Sequence, residues 1–141
     1  MKLYFLFALD LFVNLHSIAQ SITGEWITID VETGVEKSVV KIYEKDGKYY
    51  GKIVEFLQEG ADEDAACTHC KGDMKGKKLM GFDVLKAFEK EGNEFVNGTV
   101  TDPENDKTYD AKMWVDNENP NILNLRAYVS LFYKTIQWKR P

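Results

Sequence analysis

The densest chemistry in the chain is Cys67-Thr68-His69-Cys70, two thiols flanking an imidazole. Covalent haem attachment needs a histidine directly after the second cysteine, and Lys71 stands there, so that reading fails. A thioredoxin-type dithiol needs its first cysteine at a helix N-terminus in a βαβ setting, where the thiol pKa falls. Here Asp62, Glu63 and Asp64 would raise it, while Lys71 and Lys75 act oppositely. A zinc site needs four ligands, and beyond the two cysteines and the histidine squeezed between them only carboxylates are on offer. The remaining reading is a structural Cys67–Cys70 disulfide, the default in an oxidising compartment. So short a loop stiffens the local turn more than it stabilises a whole fold. No metal and no cofactor is assigned.

Other catalytic patterns are missing from the sequence: no Gly-x-Ser-x-Gly, no phosphate-cradling glycine loop, no His-Glu-x-x-His. Asp102, Glu104 and Asp106 lack the glycine and the terminal glutamate of a calcium loop and read as a solvated acidic hairpin. The chain therefore reads as non-enzymatic, and a ligand site, if present, belongs to an enclosed interior. The candidate ligand-binding residues are Tyr109, Arg126 and Tyr128, in stretches rich in apolar side chains. An inward Arg126 would need an anion beside it, with a protein carboxylate as the first expectation.

The elements that must position these residues are short strands. Stretches rich in Val, Ile, Tyr, Phe, Trp and Thr recur between Gly, Asp and Asn turn signals, and they predict eight strands, at about 24–30, 37–45, 48–57, 82–90, 94–102, 107–115, 121–129 and 132–139. Asp46-Gly47 is a two-residue hairpin signal, and Pro103 is preset for a turn. Tyr109, Ala111, Met113 and Val115 alternate with polar neighbours, and Leu123, Leu125, Ala127 and Val129 oppose Ile122, Asn124, Arg126 and Tyr128. One buried and one wetter face is what an antiparallel sheet requires. Eight strands in a meander leave two exposed edges unless the sheet closes on itself. The fold class predicted is thus all-β, an eight-stranded antiparallel meander closed into a small barrel. Residues 58–80 break the rhythm, acidic first and then lysine-rich, and read as a long surface loop pinned by its cysteines. Residues 81–89 also fit a helical period, but strand is preferred.

Residues 1–19, MKLYFLFALDLFVNLHSIA, have secretory signal grammar: Lys2, an apolar run, then Ser17 and Ala19 ahead of a cleavage point. Asp10 and Asn14 interrupt the run, so a permanent membrane anchor is not expected. The expected organisation is a signal peptide over 1–19 and one barrel domain over 20–141, exported to a periplasm or beyond. At 141 residues, one domain is natural. The 18 Lys and Arg against 23 Asp and Glu weigh against a nucleic-acid partner, which wants a basic face.

With the strands laid out, the chain resembles the DUF2147 family of exported bacterial proteins, across about residues 23–140. The resemblance is carried by Gly24-Glu25-Trp26, by Lys37-Ser38-Val39-Val40-Lys41-Ile42-Tyr43, and by Asp46-Gly47-Lys48-Tyr49-Tyr50-Gly51-Lys52-Ile53. It continues through Cys67-Thr68-His69-Cys70, Thr101-Asp102-Pro103 with Lys107-Thr108-Tyr109, Leu125-Arg126-Ala127-Tyr128 and Gln137-Trp138-Lys139-Arg140. The family usually has glycine where Ala127 stands and near Asn105-Asp106. The resemblance implies a small lipocalin-like barrel and no particular activity. Lipocalins share a Gly-x-Trp on the first strand and a late basic residue packed across the indole. Gly24 and Trp26 fit the first half, and Arg126 or Arg140 could supply the second; alternatively Trp26 is only a large core aromatic. Gly24, Trp26, Trp138 and Arg140 are accordingly structural candidates. The leading expectation is a barrel holding a small apolar or amphiphilic molecule. The rivals are a cell-envelope protein-interaction module and a thiol redox protein.

Overall fold

A computed structural model describes residues 21–67, 70, 72 and 75–141. The expected signal segment lies outside the described residues, as do Thr68, His69 and Lys71. Eight antiparallel strands follow one another: β1 (Gly24–Ile29), β2 (Glu36–Lys45), β3 (Lys48–Phe56), β4 (Asp83–Glu91), β5 (Glu94–Asp102), β6 (Lys107–Val115), β7 (Ile122–Val129) and β8 (Phe132–Lys139). Each pairs with the next, and β8 returns to β1, closing a barrel. The segment 81–89, which also fitted a helical period, is extended. Asp46 (φ 52°) and Gly47 (φ 77°) both take the left-handed conformation that a tight two-residue hairpin demands.

Alternation decides what faces in. Trp26, Val40, Ile42, Leu85, Phe88, Met113, Leu123 and Leu125 are almost wholly buried in one apolar cluster. The sheet bends where β4 meets β5. Ala87 and Asn97 sit at positive φ there, and the ladder skips between Lys86↔Thr99 and Glu89↔Val96. Gly98 makes the bend possible, because a Cβ at that position would overlap the Phe88 ring.

One end is sealed. The chain enters β1 beneath the turns 46–47, 92–93 and 116–121 and leaves β8 at the same end. Trp26 is fully buried there, and its indole Nε1 donates to the Ile22 carbonyl at 2.8 Å. The Arg140 guanidinium lies 3.8 Å from the Trp26 ring centroid. It donates to the carbonyls of Ser21 (2.6 Å), Thr23 (3.2 Å) and Glu25 (3.4 Å). Gly24, at φ 109°, leaves room for it: a Cβ would stand 3.1 Å from Arg140 Nη1. Arg140, and not Arg126, is the basic residue across the indole.

On the outer wall, the Tyr43 hydroxyl donates to Asp83 Oδ1 at 2.7 Å, across the intervening β3. Burial and this hydrogen bond push the Tyr43 hydroxyl pKa up to about 12 from its ordinary value of 10.0. A raised folded-state pKa gives stability that is complete below the unfolded value and fades as pH climbs through the folded one. Urea midpoints should therefore fall between about pH 10 and pH 12, and Tyr43→Phe should flatten that alkaline decline. Arg140→Ala removes one cation–π contact and three charge-assisted hydrogen bonds, and should cost about 3 kcal/mol in urea titrations. Arg126→Ala, on an exposed wall, should cost less than about 1 kcal/mol.

Candidate functional site

The other end of the barrel is open. Its rim consists of the β1–β2 loop, the segment between β3 and β4, the β5–β6 turn and the β7–β8 turn. Within it lies a cavity of about 780 Å³. Val40, Ile53, Val84, Val100, Leu125, Ala127 and Ile136 line its wall, with Trp138 among the lining residues and Phe56 and Leu79 added to the apolar surface. Polar groups are few. Thr28 and Ser38 face one another with hydroxyl oxygens 2.7 Å apart, and half-buried Tyr109 adds a phenol. Thr28 and Ser38 largely satisfy each other, whereas no hydrogen bond occupies the Tyr109 hydroxyl among the described residues.

The rim is acidic. Asp30, Glu32, Asp62, Asp102 and Glu104 line the cavity against Lys37 and Lys134. Lys37 Nζ reaches Glu104 Oε1 at 2.7 Å, joining the start of β2 to the β5–β6 turn. Backbone N–H groups of Thr33 and Glu32 donate to Asp30 and hold its carboxyl below the usual 3.8. The Asp102 carboxylate is likewise engaged, accepting from the Glu104 N–H at 2.9 Å. Among the described residues no cluster of His, Cys, Asp and Glu could hold a metal.

The segment after β3 lies against this rim, with Ala61, Asp62, Ala65 and Leu79 among the lining residues. It is organised as a small ribbon, with Ala66 bridged to Lys78, Cys67 N–H donating to the Lys77 carbonyl (2.8 Å) and Gly76 N–H to that of Cys67 (3.0 Å). Its stem is stitched to the barrel where Gly81 N–H donates to the Ile53 carbonyl at 2.7 Å and Ile53 N–H to that of Phe82 at 3.0 Å. Cys67 and Cys70 are disulfide-bonded, with Cα atoms 5.4 Å apart. Both belong to the apolar cluster, exposed by only 1% and 3%, and the Cys67 sulfur sits 3.8 Å from the Pro103 carbonyl oxygen. The disulfide thus lies beneath the ribbon, packed toward the β5–β6 turn. A dithiol that exchanges with partners needs access, which this burial denies.

The three candidate ligand-binding residues do not come together. Tyr109 lines the cavity. Arg126 and Tyr128 stand on the opposite face of β7, because strand parity sends Leu125, Ala127 and Val129 inward. Arg126 is instead held on the outer wall, 5.0 Å from the Trp114 ring centroid and 4.3 Å from that of Tyr133, with its Nε donating to Thr135 Oγ1 at 3.0 Å. Tyr128 meets Tyr133 edge to face at 6.4 Å. The expected inward arginine with a buried carboxylate partner is therefore absent from this wall. Lys134, beside Lys37, is a cation that does reach the mouth, and the shared parity of Lys134, Ile136 and Trp138 on β8 was the signal that could have found it.

Solved structures and families place the architecture. The protein HP1028 from the human pathogen Helicobacter pylori, described as belonging to the lipocalin family, matches with a TM-score of 0.73 at 17% identity, over 86% of this chain and 83% of that one. At such identity the match speaks for the fold: this is a lipocalin-like barrel. No curated protein matches the sequence. The sequence profile of one family, described as uncharacterized proteins conserved in bacteria, covers residues 24–140. With its whole barrel inside that match, from the first residue of β1 to the arginine behind β8, the chain belongs to the DUF2147 family.

Proposed function

We propose that the protein is an exported, non-enzymatic binding protein that holds one small apolar or amphiphilic molecule in the cup of its barrel. The observation that carries this reading is the one-ended cavity of about 780 Å³ with a predominantly aliphatic wall. Small-molecule sites typically span roughly 300–1,000 Å³ with apolar walls and a few placed polar groups, and eight-stranded barrels are the size that holds a single small ligand. Inside the cup the Tyr109 hydroxyl, without a hydrogen bond among the described residues, is a polar group open to a ligand. At the rim, five carboxylates against two ammonium groups favour a neutral or cationic polar end over an anionic one. Export is supported by the signal grammar of residues 1–19 and by a disulfide of the kind that persists outside reducing compartments.

A second reading, an interaction module of the cell envelope, draws on one observation: apolar side chains exposed at the β7–β8 turn.

N-phenyl-1-naphthylamine, a neutral apolar fluorophore, should bind saturably with one site per chain. Ala127→Trp, which projects an indole into the cup, should weaken that binding by at least about tenfold while leaving the urea midpoint within about 1 kcal/mol. Arg126→Gln, on the outer wall, should bind as the parent does. Unsaturable binding, or indifference to Ala127→Trp in a folded variant, would overturn the proposal.

A further inference from the structure

The β7–β8 hairpin is built oddly for a water-facing turn. Ser130, at φ 55°, takes the left-handed conformation usually left to glycine, and the two-residue turn thrusts Leu131 outward. Leu131 is 93% exposed, Phe132 77% and Val129 47%. Apolar side chains grouped in this way on a soluble chain mark a contact surface.

The hairpin is also graded. Leu131 and Phe132 form its end. Tyr128 and Tyr133, one register step back and paired across the strands, present exposed phenols. The next two register pairs, Ala127↔Lys134 and Arg126↔Thr135, bring two cations, Lys134 to the mouth and Arg126 to the outer wall. Neither has a carboxylate partner among the described residues. Aliphatic and phenyl groups, then tyrosines, then unpaired cations is the order in which a bilayer presents hydrocarbon, interface and phosphate. Long cationic side chains reach back toward phosphates while their stems stay in apolar surroundings.

We propose that this hairpin tip inserts into the surface of a phospholipid bilayer, with Leu131 and Phe132 below the headgroups and Arg126 and Lys134 at the phosphates. A second protein is the poorer fit. A stable protein interface uses roughly 20–30 residues a side on a broad face, whereas this patch is one projecting turn. The tip adjoins the cup, since Val129 and Lys134 line both, while the acidic side of the rim, Asp30, Glu32, Asp62, Asp102 and Glu104, comes from other segments. The insertion rests on the hairpin's own chemistry and not on the cup being occupied.

The test is co-sedimentation of the chain, freed of residues 1–19 as by signal cleavage, with vesicles of phosphatidylcholine, with and without phosphatidylglycerol. The parent should sediment with both and more strongly with the anionic mixture. Leu131→Ser with Phe132→Ser, both at exposed positions, should weaken binding to either by at least about tenfold. Arg126→Gln should abolish most of the gain from phosphatidylglycerol while leaving phosphatidylcholine binding in place. N-phenyl-1-naphthylamine binding in vesicle-free solution should be unchanged in the double variant, which separates failure of docking from failure of the cup. Three results would each overturn the inference. They are no sedimentation of the parent, sedimentation indifferent to the double variant, and a parent dimer that the double variant dissociates without any vesicle binding.

Discussion

Closure of the barrel hangs on Arg140. The seam between β1 and β8 carries a single ladder pair, Ile27↔Lys139, whereas β7 and β8 are paired along their whole length. Backbone hydrogen bonds alone would leave that seam weak and β1 a half-exposed edge. The guanidinium supplies what the ladder lacks: it bridges from the residue behind β8 to three carbonyls at and before β1, and its planar face covers the indole that plugs the barrel. A lysine offers neither the fork nor the flat face. The three-way fit among Gly24, Trp26 and Arg140 follows. A side chain at Gly24 would crowd the guanidinium, and without the guanidinium the indole would lose the cation that covers it.

With one end sealed, side-chain size along the strands decides where space remains. Residues pointing inward near the sealed end are bulky: Trp26, Phe88, Phe95 and Met113 are packed in the apolar cluster, with Tyr49 meeting Phe95 at 4.8 Å between ring centroids. Toward the open end most inward positions shrink to residues such as Val40, Val84, Val100, Ala127 and Ile136, with Phe56 and Tyr109 the large exceptions. A barrel of constant bore filled this way is solid below and hollow above. The cup is thus a consequence of residue size, with no need for any special architecture. Ala127, a small inward residue on β7, contributes directly to that hollow.

Strand count, order and turns were legible because they depend on local signals, alternation and turn dipeptides such as Asp46-Gly47. The parity of β7 was legible too, since Leu125 and Ala127 share a face that Arg126 cannot. Grouping Arg126 with Tyr109 followed the chemistry of the side chains and ignored the alternation. The family resemblance narrowed the partner of Trp26 to Arg126 or Arg140 but could not choose, because residues 26 and 140 meet only through ring closure, a non-local event that leaves no periodic trace. The loop was legible as a surface segment pinned by its cysteines, but its internal order was not. Between residues 57 and 82 no period reports structure, so nothing in the sequence showed that a ribbon would form or that its cysteines would lie in the core.

One hairpin illustrates how parity lets a barrel present two chemistries from the same few residues. Along β8, Lys134 and Ile136 face the cup while Tyr133 and Thr135 face out, and along β7 Ala127 and Val129 face in while Arg126 and Tyr128 face out. The inward set sets the width of the cup and the charge at its mouth. The outward set stacks Tyr133 on Arg126, and Arg126 on Trp114, into a stiff outer wall. A turn carried on two such strands has little freedom to fold its Leu131 and Phe132 back onto the barrel. Their exposure goes with the turn itself, where Ser130 at φ 55° leads the chain away from the barrel. Apolar side chains grouped at the end of a projecting turn form the kind of patch that contact surfaces use.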